Sequence, residues 1–230
     1  MTEECIFGCN NRAGRGGGLH RLMYCALLAV LMAGAPAIAP AASAQLTAIT
    51  VQSTEALKPP AGARVAIVEF DDLECPTCAH YNPLLKAAAA KYKIPWVRHD
   101  FIIPYHNWSR NAAVKAHWFD SKSRALGDEY RDEVFASQPN IFNLGTLSTF
   151  TQQFAEKHGV TLPMDMDPNN KFDAAVQADV DLGKRTGVDA TPTIFVVAAN
   201  SKGTAYTQIL DPDRELYRVI DQAIVDTSGH

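Results

Sequence analysis

The segment Val65-Ala66-Ile67-Val68-Glu69-Phe70-Asp71-Asp72-Leu73-Glu74-Cys75-Pro76-Thr77-Cys78 organises everything around it. It opens on β-branched and apolar residues interrupted only by Glu69, the composition of a buried strand. It ends in a C-P-x-C, after which Tyr81, Leu84, Leu85, Ala88 and Tyr92 recur at helical spacing. Pro76 suits the first position of a helix, where its missing N–H has no intrahelical partner to lose. Cys75 then falls on the N-cap, where unpaired backbone N–H groups and the positive end of the helix dipole favour a thiolate. Cys78 lies on the same side of the first turn, so the two sulfurs are placed to close a disulfide. A reactive outer thiol beside a shielded inner one is the equipment of dithiol–disulfide exchange.

Downstream, Trp96 to Ile103 alternates as a strand, so strand, helix and strand form a right-handed βαβ crossover. Pro83 is expected to bend the intervening helix. A long helical stretch follows. One helix starts at Asn107 or Ser109 and is expected to run to Leu126, stopped by Gly127; a short one spans Asp128 to Phe135. Thr146 caps a third, ended by Gly159, and Asp167-Pro168 opens a fourth that finishes near Gly187. The chain then returns to strand pattern at Thr193–Ala198, turns at 200–203 and pairs back along Thr204–Leu210. Asp211-Pro212 starts a last amphipathic helix carrying Leu216, Val219, Ile220 and Ile224. Upstream, Leu46 to Val51 reads as a short strand and 54–63 as a loop.

A strand leading into C-P-x-C at a helix start, with Ala190-Thr191-Pro192-Thr193 ahead of a second apolar strand, resembles the DsbA family of thioredoxin-fold oxidoreductases. The resemblance covers nearly all of the chain after its leader. It implies an α/β thioredoxin-like fold, a mixed sheet flanked by helices, with an inserted all-helical cap domain. The corresponding division is 1–44 signal peptide, 45–104 and 181–230 thioredoxin-like domain, and 105–180 helical insertion. It also implies that Thr191 and Pro192 form a loop beside the dithiol, and that Glu69 is a buried acid able to take the Cys78 proton. From the residues alone Glu69 reads equally as a strand-end glutamate turned to solvent. Pro76 and Thr77 are the inter-cysteine residues that tune the pair. The family's usual histidine is absent from the second of these positions, where Thr77 stands, and Asp71, Asp72 and Glu74 add negative charge upstream. Solvation and screening beyond about 8–10 Å would blunt that charge.

Composition bounds the rest. The 230 residues are 47% hydrophobic, enough for a real core, and a net charge of −4 offers no basic field for nucleic acid. Arg12, Arg15 and Arg21 precede an apolar run, Leu22–Met32, and Ala42-Ser43-Ala44 supplies a cleavage site before Gln45. This predicts export to the periplasm or another extracytoplasmic space, with an uncleaved membrane anchor as the alternative, against which Pro36 and Pro40 count. Cleavage removes Cys5, Cys9 and Cys25, leaving Cys75 and Cys78 as a working redox pair with no structural disulfide framework. A zinc half-site would need further ligands, and His80, His99, His106, His117 and His158 show no paired metal spacing. No flavin or nicotinamide fingerprint appears, so no cofactor and no metal are expected.

The function expected is thiol:disulfide exchange with cysteines of exported proteins, as a monomeric DsbA-like oxidase recycled by a membrane redox partner. A reductase or isomerase of the same fold is the first alternative. The second, from another class, is a module holding a soft ion between the two thiolates; methionine would help such a site, but only Met164 and Met166 lie in the mature chain, both in the expected cap.

Overall fold

The computed structural model describes residues 47–228, so the expected signal peptide lies outside the described residues. Four strands, β1 (Val65–Asp71), β2 (Trp96–Asp100), β3 (Thr193–Ala198) and β4 (Tyr206–Ile209), form one sheet in the order β2-β1-β3-β4. β1 pairs in parallel with β2 and antiparallel with β3, and β4 returns antiparallel on β3. The sheet is therefore mixed, with β1 central and buried along its whole length.

Helix α1 (Pro76–Tyr92) makes the β1–β2 crossover and α6 (Pro212–Thr227) closes the chain. Leu85 and Ala88 of α1 join Leu216, Val219 and Ile220 of α6 over Val65, Ile67, Ile194 and Val196 of the sheet. The opposite face is apolar through Ala66, Val68, Phe70, Phe195 and Val197. It is covered by Leu182 and Val188 and by the extended segment carrying Ile49 and Val51. That segment corrects the expected Leu46–Val51 strand: among its described residues no ladder forms. It is tied down instead by single bonds, Ile49 N–H to Gln208 Oε1 (2.9 Å) and Gln52 N–H to the Thr186 carbonyl (3.0 Å).

Between β2 and β3 come α2 (Ser109–Asp120), α3 (Arg124–Ser137), a 3-10 turn at Gln138–Asn140, α4 (Leu144–Lys157) and α5 (Lys171–Thr186). Their core stacks Trp108, Trp118, Phe119, Tyr130, Leu147 and Phe154, and Leu73, Cys75 and Cys78 belong to the same buried cluster. The dithiol thus lies where the inserted helices meet the sheet.

Gly127 is no stop; it sits inside α3, because the break between α2 and α3 falls earlier. Ser123 makes that break by capping α3 through its hydroxyl, which accepts from Leu126 N–H (3.1 Å). Gly127 has a packing reason instead: a Cβ there would overlap the Asp120 carboxylate. α4 is likewise capped by Asn143, with Thr146 as the N3 member of a capping box. Asp167 reaches α5 from outside, its carboxylate accepting from Phe172 N–H (3.0 Å) and Asp173 N–H (2.8 Å). Gly187 ends α5 in the left-handed region (φ 97°), as its sequence position predicted.

Candidate active site

Cys75 is the N-cap of α1, with extended backbone, and its sulfur accepts the Cys78 N–H at 3.4 Å. Pro76 holds the first helical position, and Pro76 and Thr77 face solvent. The two cysteines are nearly covered, Cys75 6% and Cys78 0% exposed, and both are free thiols. Hydrogen bonding with the Cys78 thiol is the largest influence on Cys75. Aided by Thr191 and by the N–H groups of Cys78 and Thr77, it outweighs burial and brings the Cys75 thiol from 9.0 down to about 6. Burial pushes Cys78 well above the ordinary thiol value, and the neighbouring Cys75, Glu69 and Asp71 charges add to it. One thiol is set to be a thiolate and the other to keep its proton.

The loop before β3 comes to this pair from the far side of the chain. The Thr191–Pro192 peptide is cis, and the Cys75 thiol donates to the Thr191 carbonyl at 3.4 Å. Thr193 braces the loop by donating its hydroxyl to the Ala190 carbonyl (2.8 Å). Thr191 and Pro192 are thus brought to the dithiol.

Glu69 is buried, 1% exposed, and not turned to solvent. Its Oε2 accepts the Trp96 indole N–H at 3.0 Å. Burial first, and the Asp71 charge second, raise Glu69 well above the usual carboxylate range. Asp71 is pushed up to about 6, chiefly by burial, with Arg98 opposing. The upstream acids therefore are not a solvated, screened cluster around Cys75; each has an assigned structural partner. Asp71 pairs with Arg98 (3.2 Å). Asp72 is buried and accepts from Ile103 N–H (2.8 Å) and Glu74 N–H (2.8 Å), with His106 Nδ1 at 2.9 Å. Glu74 Oε2 accepts from Trp108 N–H (2.7 Å) and Ser109 N–H (3.1 Å), so a carboxylate from the active-site loop caps α2. On the other side Gln138 donates to the carbonyls of Leu73 (2.8 Å) and Cys75 (3.0 Å), fastening α3's end to the same loop.

Arg98, Asn82, Asp132 and Gln138 escaped sequence reasoning. Arg98 and Asn82 had a detectable signal, a charge in an otherwise apolar strand and an amide on a helix face toward the core. For Asp132 and Gln138 only the packing of α3 on the dithiol reveals a role.

The family model described as thioredoxin matches residues 60–210, which contain the dithiol, the Thr191–Pro192 loop and all four strands. The chain belongs to the thioredoxin family. Among curated proteins, disulfide bond formation protein D of Bacillus subtilis (strain 168) is 26% identical over 150 residues, 58% of this chain. The match spans 64% of that relative's length. Among solved structures, alpha-DsbA1 of Wolbachia pipientis superposes with a TM-score of 0.59 at 18% identity, covering 75% of this chain and 92% of that one. Oxidised BdbD of Bacillus subtilis gives 0.59 at 19% identity (79% and 98%), and DsbA2 of Pseudomonas aeruginosa 0.54 at 23% (78% and 94%). This thioredoxin-family chain thus has the DsbA form of the fold, with its helical insertion between β2 and β3.

Proposed function

We propose that the chain is an exported thiol:disulfide oxidoreductase, a DsbA-like oxidase that passes the Cys75–Cys78 disulfide to cysteines of secreted proteins. The observation that carries this reading is the asymmetry of the pair: Cys75 drawn down to about 6 at a helix N-cap, Cys78 buried and pushed up. Cys75 is the attacked and attacking sulfur, Cys78 the resolving one. Pro76 and Thr77 border the reactive sulfur from outside, and Thr191 and Pro192 present backbone for an extended substrate beside it. Glu69 serves as the buried acid for Cys78. Residues 105–180 act as the cap over the dithiol, on a thioredoxin-like domain of 45–104 and 181–230. Two names among the similar proteins, disulfide bond formation protein D and DsbA, support the assignment. The signal-peptide pattern of 1–44 supports export to the periplasm or its equivalent. Among the described residues no helix is long and apolar enough to cross a membrane. Recycling then falls to a separate membrane redox partner, and the enzyme acts as a monomer.

The soft-metal alternative is separated by a metal assay on the purified chain: stoichiometric metal that survives dialysis and masks both thiols would favour it. The deciding experiment is equilibration of the purified chain against a glutathione series. A depressed Cys75 stabilises the reduced form and raises the potential, so the value should lie between about −120 mV and about −270 mV, the DsbA and thioredoxin values. Catalytic amounts should also speed oxidative refolding of a reduced multi-cysteine protein. A potential at or below the thioredoxin value, with no refolding activity, would defeat the oxidase reading in favour of a reductase.

A further inference from the structure

Beneath the dithiol the sheet presents a row of charge. Glu69 and Asp71 alternate with Phe70 along β1, so both point to one face, and β2 sets Trp96, Arg98 and Asp100 beside them in the register Ile67–Trp96, Glu69–Arg98, Asp71–Asp100. The register places Arg98 directly opposite Glu69, yet its Nε bonds Asp71 Oδ2 at 3.2 Å. The rest of the guanidinium is taken up by Asn82 Oδ1 on α1 (3.1 Å) and Asp132 Oδ1 on α3 (3.5 Å). Its plane lies over the Trp96 ring at 4.4 Å and toward Phe135 at 5.5 Å. Asn82 and Lys86 of α1 in turn hold Asp132, at 3.1 and 2.5 Å. The cation is fixed from four elements; Glu69 feels it only through space, as an opposing charge, and takes its hydrogen bond from a neutral donor, the Trp96 indole.

We propose that Asp71 is a positioning residue for proton transfer at Cys78: by engaging Arg98 it withholds that cation from Glu69, which therefore carries a proton at neutral pH and exchanges it with the Cys78 sulfur. The proposal rests on the dithiol chemistry proposed above. In the oxidising direction a substrate thiolate attacks Cys75 Sγ and the Cys75–Cys78 bond breaks. Cys78 leaves with the electron pair and takes the Glu69 proton. A second substrate thiolate then attacks the substrate sulfur of the mixed disulfide and releases Cys75 as thiolate, so two electrons have passed from substrate to protein. In reverse, the Glu69 carboxylate takes the Cys78 proton as Cys78 displaces the substrate from Cys75. Transfer is fastest when the two proton affinities approach one another, and an ionised Asp71 on the same face moves Glu69 toward the thiol. The other groups facing this site are Asp100 on β2, Cys75 at the N-cap of α1, His117 on α2, and Arg131 and Asp132 on α3. Arg131 already answers Asp120 in a two-pronged pair (3.0 and 2.7 Å), and His117 answers Asp100 (2.7 Å), so neither is free to neutralise Glu69.

The test is a double-mutant cycle on the full chain, reading the rate at which Cys78 resolves a Cys75–glutathione mixed disulfide as pH is varied. Glu69→Gln should slow resolution on the order of 100-fold. Asp71→Asn should move the acidic limb of the profile to lower pH and slow resolution on the order of tenfold above that limb, where Glu69 is ionised in both proteins. In the Glu69→Gln background Asp71→Asn should change nothing further, because it acts through Glu69. Equal slowing in both backgrounds, or an unmoved limb, would overturn the proposal. Should Asp71→Asn fail to fold, carbon-13 carboxyl titration of the wild type decides it alone: Glu69 protonated and Asp71 ionised at neutral pH supports the proposal, and an ionised Glu69 refutes it. A wild type that exchanges with no thiol at all would sink the oxidoreductase reading, while the titration would still locate the proton.

Discussion

Cys75 owes its low proton affinity first to hydrogen bonding with the Cys78 thiol, then to the Thr191 side chain and the N–H groups of its own helix turn. In the reduced protein it should alkylate first, with a rate that rises through about pH 6, while Cys78 lags far behind. Mass mapping after brief alkylation at graded pH checks both statements, and label found mainly on Cys78 would reverse the roles. Cys78→Ser should accumulate mixed disulfides with substrates and Cys75→Ser should not. The same shift sets a stability trend. Because the folded thiol titrates below its unfolded value, the reduced form gains stability over its unfolded chain as pH rises from about 6 toward 9, and loses it on going back down. Thr77 is exposed beside this sulfur, so Thr77→His would add a partly screened cation near the thiolate. Each tenfold stabilisation of the thiolate moves a two-electron couple by about 30 mV. Thr77→His should therefore raise the potential by roughly 30 mV, measured against glutathione; an unmoved potential would show that the hydrogen bonds alone set it.

Secondary elements here are held to the site by side chains that sequence patterns do not advertise. Asp72 satisfies two buried or half-buried N–H groups and Glu74 caps α2 from across the fold. Asp72→Ala leaves the Ile103 N–H unpaired in a buried place, which costs about 1–3 kcal/mol. Thermal unfolding should show the loss, and hydrogen exchange at Ile103 should accelerate more than at β3. Gly127 provides a sharper contrast. Helix propensity alone predicts that Gly127→Ala stabilises α3 by about 1 kcal/mol. The structure predicts the opposite, because the new methyl displaces the Asp120 carboxylate from Arg131 and leaves a buried guanidinium without its partner. The expected loss is about 3 kcal/mol or more, read as a lowered denaturant midpoint.

For the whole molecule, the contact between sheet and inserted helices is polar as much as apolar. Asp100 on β2 faces His117 on α2 at 2.7 Å; hydrogen bonding and charge from that partner raise His117 in spite of burial, and the same partner lowers Asp100. The signs give the window. The depressed Asp100 contributes stability that is lost as pH falls below the ordinary aspartate value of 3.8, and the raised His117 contributes stability that is lost as pH climbs past 6.5 through its folded value. The pair should therefore stabilise the junction most between about pH 4 and 6.5. Asp100→Asn should lower stability between those limits and soften the fall at either edge in denaturant titrations, and a curve of unchanged shape would remove the pair from the account.

The thioredoxin-like architecture and the approach of Thr191–Pro192 were legible only through the resemblance to the DsbA family. The CPTC helix start was legible in the sequence because it rests on local chemistry, a proline at N1 and a sulfur at the N-cap. The strand at Thr193–Ala198 and the helix stop at Gly187 are of the same kind. What the tertiary structure decided is where charge is buried. Nothing within a few residues of Glu69 says whether it meets water or the Trp96 indole, since β1 is covered on both faces by segments distant in sequence. The upstream acids read as a repulsive cluster beside Cys75 only until their partners, Arg98, His106 and the N–H groups at Ile103 and Trp108, are seen. Gly127 reads as a stop until Asp120 is found against it. In each case a charge or a missing side chain takes its meaning from a group the fold delivers, and periodicity along the chain cannot encode that distance.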